Sequence, residues 1–287
     1  MHPCESALSV PPHTSPSIRS WLSQASNRLG DRLEAELLLA HMLKVERSWL
    51  YAHGEELLAE DQCSTFESLV ARRMAGEPIA YLTGSREFYG RDFIVSPAVL
   101  IPRPETELLV ELALEHLSPN AADILDVGTG SGCIALTLAA ERPGWQVTAT
   151  DISQAALEVC RINAERLSLP KVRLLAGDLL SPVVGQRFAA ILSNPPYVAA
   201  GDPHLSRGDL RFEPDSALSA GADGLGLIRR LVEQAPDHLQ AGGWLFIEHG
   251  YDQGATARQL LRAAGFMAVS TQPDLAGIDR VTLGRLS

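Results

Sequence analysis

The consecutive residues Asn194-Pro195-Pro196-Tyr197 combine groups that can hold a planar NH2. The Asn194 side-chain carbonyl and the Pro195 backbone carbonyl are two hydrogen-bond acceptors side by side. Proline fixes its own φ and drives the residue before it to extended geometry, so this acceptor pair is stiff before any ligand arrives. Tyr197 adds a flat apolar face against which a planar group can lie. Such a constellation suits an amide or an aromatic amine. The apolar run Phe188 to Leu192 in front of it reads as a buried strand, and Asn-Pro after a strand is also a common turn. Residues upstream favour chemistry over the turn.

Those residues are Asp126-Val127-Gly128-Thr129-Gly130-Ser131-Gly132, directly after Ile124-Leu125 and before the helical run Ile134 to Ala139. Strand, tight glycine turn and helix bring backbone close to a nucleoside-bearing ligand, which assigns Gly128, Thr129, Gly130, Ser131 and Gly132 to cofactor binding. A dinucleotide fingerprint needs a further glycine where this chain has Cys133. With that glycine missing and Asp126 at the strand end, the loop suits a cationic, phosphate-free ligand better than a pyrophosphate. Val147-Thr148-Ala149-Thr150-Asp151 is a β-rich stretch ending in a carboxylate about 20 residues on, the distance expected of a ribose-binding acid. Asp151 or Ser153 can also cap the helix Gln154 to Arg166. After a further strand, Val172 to Leu175, Asp178 can accept from a nucleobase amino group while Leu179 packs on the ring.

Together these residues resemble methyltransferases that use S-adenosylmethionine on a doubly wound sheet, and the tetrapeptide narrows the likeness to those acting on a planar nitrogen. Gly76-Glu77-Pro78-Ile79-Ala80-Tyr81-Leu82-Thr83-Gly84, Arg86-Glu87-Phe88-Tyr89-Gly90, Ile101-Pro102-Arg103-Pro104-Glu105-Thr106-Glu107, Arg211-Phe212-Glu213-Pro214 and Glu248-His249-Gly250 bring it closer. In combination they are similar to the bacterial peptide chain release factor glutamine methyltransferases, from about Ile18 to the C-terminus. The resemblance implies methyl transfer from S-adenosylmethionine to the glutamine amide of a Gly-Gly-Gln loop, with Asn194 and Pro195 catalytic. It implies a substrate contact by Pro196 and Tyr197 and a cofactor contact by Asn194. Its fold would be α/β: a doubly wound, mostly parallel, class I methyltransferase-like sheet with a small N-terminal helical bundle.

Rival readings remain. The same tetrapeptide serves enzymes that methylate the adenine amino group of DNA or RNA. A net charge of −11 argues against strong nonspecific nucleic-acid binding, which needs clustered Lys and Arg. A nicotinamide-dependent dehydrogenase would share the loop and Asp151 but has no use for the tetrapeptide. A non-catalytic nucleoside-binding module would not need it either. Cys4, Cys63, Cys133 and Cys160 lack metal-ligand spacing, so reduced thiols and no metal are expected. No apolar run approaches a membrane span and no signal pattern opens the chain, so a cytoplasmic monomer is expected.

The elements that must position these groups follow from the pattern. Residues 1–17, with Pro3, Pro11, Pro12 and Pro16, read as a disordered leader. Residues 18–76 read as short helices: a stripe of Trp21, Leu22, Ala25 and Leu29 ended by Gly30, a second helix capped by Asp31, a turn at Ser48 to Tyr51, and Cys63 to Met74. The resemblance gives this bundle a role in recognising the protein substrate. Residues 77–100 read as a linker, with a hairpin over Tyr81 to Val99, and residues 101–287 as the methyltransferase domain. That domain opens with a helix from Glu105 to His116 and closes with helix Leu227 to Leu239, strand Trp244 to Glu248, helix Ala255 to Ala264 and strand Arg280 to Arg285. The strand-poor stretch between Tyr197 and Leu225 is expected to be a flap over the acceptor, oriented by Glu213. Arg103 is left between a ligand contact and a surface charge.

Overall fold

The computed structural model describes residues 16–203 and 208–287. The leader expected over residues 1–17 lies outside them except for Pro16 and Ser17, and Ser17 is the N-cap of the first helix, accepting from Ser20 N. The chain divides into two compact units between Thr83 and Gly84.

The N-terminal unit is helical: α1 (Ile18–Leu29), α2 (Arg32–Leu43), α3 (Arg47–Ala52), α4 (Glu60–Met74) and α5 (Ile79–Thr83). Gly30, at φ 73, ends α1 in the left-handed conformation that glycine adopts without strain, and the Asp31 carboxylate caps α2 through Leu33 N and Glu34 N. Its core joins Ile18, Leu22, Leu38, Leu39, Leu50, Phe66 and Leu82. Because α2 is covered by the helices around it, its buried set includes Glu36, only 2 % exposed. That carboxylate accepts from Arg32 Nε at 2.8 Å, Arg47 Nη2 at 2.7 Å and Tyr51 Oη at 2.7 Å. Where a hairpin was expected from Tyr81, the chain completes α5, and the strands begin only after Gly84.

The second unit opens with the antiparallel hairpin β1 (Ser85–Phe88) and β2 (Arg91–Ile94). The remaining elements are α6 (Glu107–His116), β3 (Asp123–Val127), α7 (Cys133–Glu141), β4 (Gln146–Asp151), α8 (Gln154–Arg166), β5 (Arg173–Ala176), β6 (Phe188–Ser193), α9 (Asp215–Leu218), α10 (Gly226–His238), β7 (Leu239–Glu248), α11 (Gly254–Ala263), β8 (Phe266–Pro273) and β9 (Asp279–Leu286). The sheet order is β5-β4-β3-β6-β7-β9-β8, parallel from β5 to β7 and antiparallel at β9 and β8. This is the doubly wound, mostly parallel sheet expected. β8 is an addition: Met267 to Gln272 lack apolar alternation, and their strand exists because β9 offers an edge to pair with.

Side-chain alternation divides the core between the two faces of the sheet. Ile124, Ala190, Leu192 and Phe246 join the cluster that includes Leu109 and Leu136, from α6 and α7. Leu125, Ile191, Leu245 and Ile247 join the cluster that includes Leu231 and Leu261, from α10 and α11. From β3 the chain winds to β4 and β5 on one side, then returns to β6 on the other. The carboxyl ends of β3 and β6 therefore form the topological switch point, where open α/β sheets bind ligands. Val127 and Ser193 pair there, so the glycine loop and the tetrapeptide leave the sheet side by side.

Candidate active site

Hydrogen bonds to β4 fold the glycine loop over the switch point. Gly128 N and Thr129 N both donate to Thr150 O, at 2.9 and 3.0 Å, and Gly130 N donates to Asp151 Oδ2 at 2.9 Å. Gly128 (φ 75), Gly130 (φ 55) and Gly132 (φ 84) hold the left-handed backbone such a path requires. The other Asp151 oxygen accepts from Ser153 N at 2.8 Å, while Ser153 itself caps α8 through Ala156 N. Asp151 thus clamps the loop and keeps lone pairs for a diol.

A cavity of about 370 Å³ opens between the loop and the tetrapeptide. Gly128, Thr129, Gly130, Ser131, Asp151, Asp178, Leu179, Asn194, Pro195 and Pro196 all line it. Ser131 Oγ is buried at this wall with no hydrogen-bond partner, an orphaned polar atom that a ligand would satisfy. Asp178 pairs through Oδ2 with Arg230 of α10 at 2.5 Å, leaving Oδ1 outside the pair. Leu179 lies at the rim with φ 49, its carbonyl accepting from Thr150 Oγ1 at 3.3 Å. A carboxylate for a diol, an orphaned hydroxyl and apolar walls suit S-adenosylmethionine.

Three expectations need correction. Gly132 does not line the cavity; a side chain there would bring Cβ to 2.5 Å from Cys160 Sγ, so its task is close packing at the start of α7. Tyr197 is not a cavity face either. It packs against the cluster around α10 and α11, and its hydroxyl donates to Glu248 Oε1 at 3.4 Å. Burial pushes the Tyr197 phenol up, so it stays a neutral donor. Asp126 lies beneath the loop, fully buried, with its Oδ2 accepting from Thr129 Oγ1 at 2.6 Å. Burial pushes its carboxyl up to about 7, and it cannot select a cationic ligand from where it sits.

The tetrapeptide is anchored from three directions. Asn194 Nδ2 donates to Thr106 Oγ1 at 3.0 Å, which leaves Oδ1 as the free end of the amide. Ser193 Oγ donates to Val127 O at 2.8 Å, and Gln253 Nε2 donates to Tyr197 O at 3.0 Å. The stretch expected to be a flap is tied down at the ends described: Val198 and Ala220 bond to each other and Val198 N donates to Leu218 O. Glu213 is buried and ion-paired with Arg103, and it also accepts from Ile101 N at 3.1 Å. Pro214 and Ala217 thereby become cavity wall, and Arg103, which also lines it, is a tie between loops as well as a cavity charge.

Sequence reasoning missed several contributors. Ile152, an apolar residue 70 % exposed, lines the cavity, and its place directly after Asp151 at the strand end was the available signal. Thr106 was quoted only as part of a motif. Asn163 is fully buried and bonds Ile94 N, Ile94 O and Ser131 O, stapling the hairpin to the glycine loop, with no signal short of the fold.

Sheet order, glycine loop and acidic strand end define a class I methyltransferase, and the unit shares its fold with a methyltransferase from Pyrococcus furiosus, at a TM-score of 0.52 and 23% identity over 75% of this chain and 95% of that one. Residues 105–207 match the family described as methyltransferase small domain, and residues 20–84 match the PrmC N-terminal domain. The chain is 51% identical to the release factor glutamine methyltransferase of Xylella fastidiosa, covering 94% of this chain and 98% of that protein. Identity to the Escherichia coli protein of the same name is 45%, over 92% of this chain and 97% of the relative. The chain belongs to the release factor glutamine methyltransferase family.

Proposed function

We propose that this protein transfers a methyl group from S-adenosylmethionine to the side-chain amide nitrogen of the glutamine in the Gly-Gly-Gln loop of peptide chain release factors. The observation that carries this reading is the anchored Asn194 amide, whose Nδ2 is taken by Thr106 at 3.0 Å while its carbonyl stays free at the cavity shared with the glycine loop. An amide nitrogen is a poor nucleophile because its lone pair is delocalised into the carbonyl. The sulfonium of the bound donor supplies a methyl group electrophilic enough to need no metal. What the chain contributes is alignment. Asn194 Oδ1 and the Pro195 carbonyl each accept one amide hydrogen and turn the nitrogen towards the methyl group. As positive charge develops on that nitrogen, both hydrogen bonds strengthen, which stabilises the transition state selectively. The S–CH3 bond breaks, S-adenosylhomocysteine leaves as a neutral thioether, and the methylated nitrogen loses one proton to water.

Asp151 holds the ribose, Asp178 and Leu179 the base, and the backbone from Gly128 to Ser131 the amino-acid end of the donor. The N-terminal helical unit recognises the release factor. The protein acts as a cytoplasmic monomer without strong direct nucleic-acid binding. No helix among the described residues is long and apolar enough to cross a membrane. Labelled S-adenosylmethionine, incubated with the protein and a release factor, tests the reading. Label is expected in the intact factor and absent from one whose loop glutamine is replaced by alanine. Label in duplex DNA instead would overturn the substrate while keeping the fold and donor.

A further inference from the structure

A row of polar groups runs from the antiparallel edge of the sheet towards the tetrapeptide. It starts at Arg258 of α11, whose Nη1 donates to Thr271 Oγ1 of β8 at 2.6 Å. Thr271 Oγ1 lies 2.8 Å from Thr282 Oγ1 of β9, which lies 2.8 Å from Nε2 of His249, directly after β7. The other ring nitrogen, Nδ1, is 2.9 Å from Gly250 O. Thr282 and His249 are fully buried. Both ends of the row have a fixed sense, because a guanidinium can only donate and a carbonyl can only accept. Nδ1 therefore carries a proton and donates it to Gly250 O. On a neutral ring Nε2 accepts, so Thr282 donates to His249 and Thr271 donates to Thr282. A charged ring would reverse the middle of the row, and Thr271 would receive from both neighbours with its own proton directed at neither. Burial favours the neutral ring by pushing the His249 imidazole below its ordinary value.

Gly250 hands this order to Gln253, which is also buried. Gly250 O accepts a second bond, from Gln253 N at 3.0 Å, and Gly250 N donates to Gln253 Oε1 at 2.9 Å. With its acceptor end taken, the Gln253 amide turns Nε2 to two carbonyls, Tyr197 O at 3.0 Å and Asp223 O at 3.5 Å. Space around the first is closed as well: a Cβ on Gly224, at φ 71, would stand 2.2 Å from Tyr197 O.

We infer that His249 and Gln253 are positioning residues for the transfer: the oriented row from Arg258 through Thr271, Thr282 and the Nδ1–H tautomer of His249 fixes the turn at Gly250, and Gln253 carries that position to the Tyr197 carbonyl at the end of the tetrapeptide. This role rests on Asn194 and Pro195 being the acceptors of the substrate amide. Thr106 holds the Asn194 end and Gln253 the Tyr197 end, at 3.0 Å each. The two prolines between them have fixed φ, so a shift at Tyr197 O passes to the Pro195 carbonyl rather than being absorbed.

Two measurements test this. Proton–nitrogen NMR of the protein carrying isotope-labelled histidine should show His249 protonated on Nδ1 and bare on Nε2; a proton on Nε2 overturns the oriented row. Turnover on a release factor, with cofactor affinity by calorimetry, then reads the positioning. Gln253→Met keeps the length but removes both amide bonds, and should lower kcat about tenfold with cofactor Kd changed by less than about twofold. Thr282→Val leaves the buried Nε2 without its donor and should lower kcat by about threefold to tenfold, and Thr282→Ser, which restores the hydroxyl, should recover it. In the Asn194→Ala background the cost of Gln253→Met should shrink to about threefold or less, because one of the two acceptors it positions is gone. Wild-type kcat in Gln253→Met, or the same loss in both backgrounds, overturns the positioning role while leaving Asn194 in place. Wild-type turnover in Asn194→Ala would instead remove the reading on which that role stands.

Discussion

Two buried acidic centres in this chain are built in opposite ways. In the helical unit, Glu36 is hidden in the core, and although burial pushes its carboxyl up, hydrogen bonds from Arg32, Arg47 and Tyr51 pull it down to about 2. In the sheet unit, burial dominates, and Asp126 and Glu248 are pushed up to about 7, each with one oxygen lacking a partner. A fully satisfied buried charge holds a core in one arrangement. A half-satisfied one is a cost that persists where function uses it, and both examples lie immediately behind cavity residues. Glu36 is saturated with partners, whereas Asp126 and Glu248 each keep an unmatched oxygen.

The largest effect that sharpens this contrast is on activity. Asn194→Ala should lower turnover on a release factor by about a hundredfold or more, the scale of removing one preorganised electrostatic partner, with little change in cofactor affinity. Near-normal turnover would break the functional half of the comparison. Next is Asp151→Ala, which removes the loop clamp and the diol acceptor together. Cofactor affinity measured by calorimetry should fall by roughly 1.5–3 kcal/mol, the value of hydrogen bonds to a charged group.

Glu36→Gln probes the other centre. With Arg32 and Arg47 partly solvated, the loss should be about 1–3 kcal/mol in urea unfolding, from the weakened charged hydrogen bonds alone. A change below about 1 kcal/mol would put Glu36 on a level with exposed ion pairs such as Arg28–Glu67. The smallest effect is in pH. Asp126 and Glu248 have folded pKa values raised from 3.8 and 4.5, so their contribution to stability is complete below those values and is lost as pH rises through about 7. Glu36 is lowered from 4.5, so its contribution is present above that value and is lost as pH falls towards about 2. Thermal melts should show the contribution of these two groups declining from about pH 4 to about pH 7, and Asp126→Asn should reduce the decline. A flat wild-type profile would mean that the two centres do not differ.

Much of the site was legible in the sequence because its parts are local. Gly128 and Gly130 are read from spacing because only a residue without Cβ follows that path at no cost. Asp151 is read from its place at the end of a β-rich run, and the stiff Asn194-Pro195 pair from proline's fixed φ. What was misread depends on neighbours distant in sequence. Gly132 looked like a ligand contact, and it must be glycine because a Cβ there would meet Cys160 of α8. Glu213 was expected to orient the stretch after Tyr197, but its partners Arg103 and Ile101, 110 and 112 positions away, follow only from the fold. β8 has no alternation of its own and exists only against β9.

Backbone preferences and period-2 apolar runs are properties of short segments, and they determined the parallel strands, the glycine turn and the family motifs without reference to the rest of the chain. The direction of a hydrogen bond belongs to a pair. Asn194 meets Thr106 from 88 positions away, and the Tyr197 hydroxyl meets Glu248 from 51 positions away. Only packing those elements together decided which end of the Asn194 amide turns to the cavity and on which side of the tetrapeptide the Tyr197 ring lies.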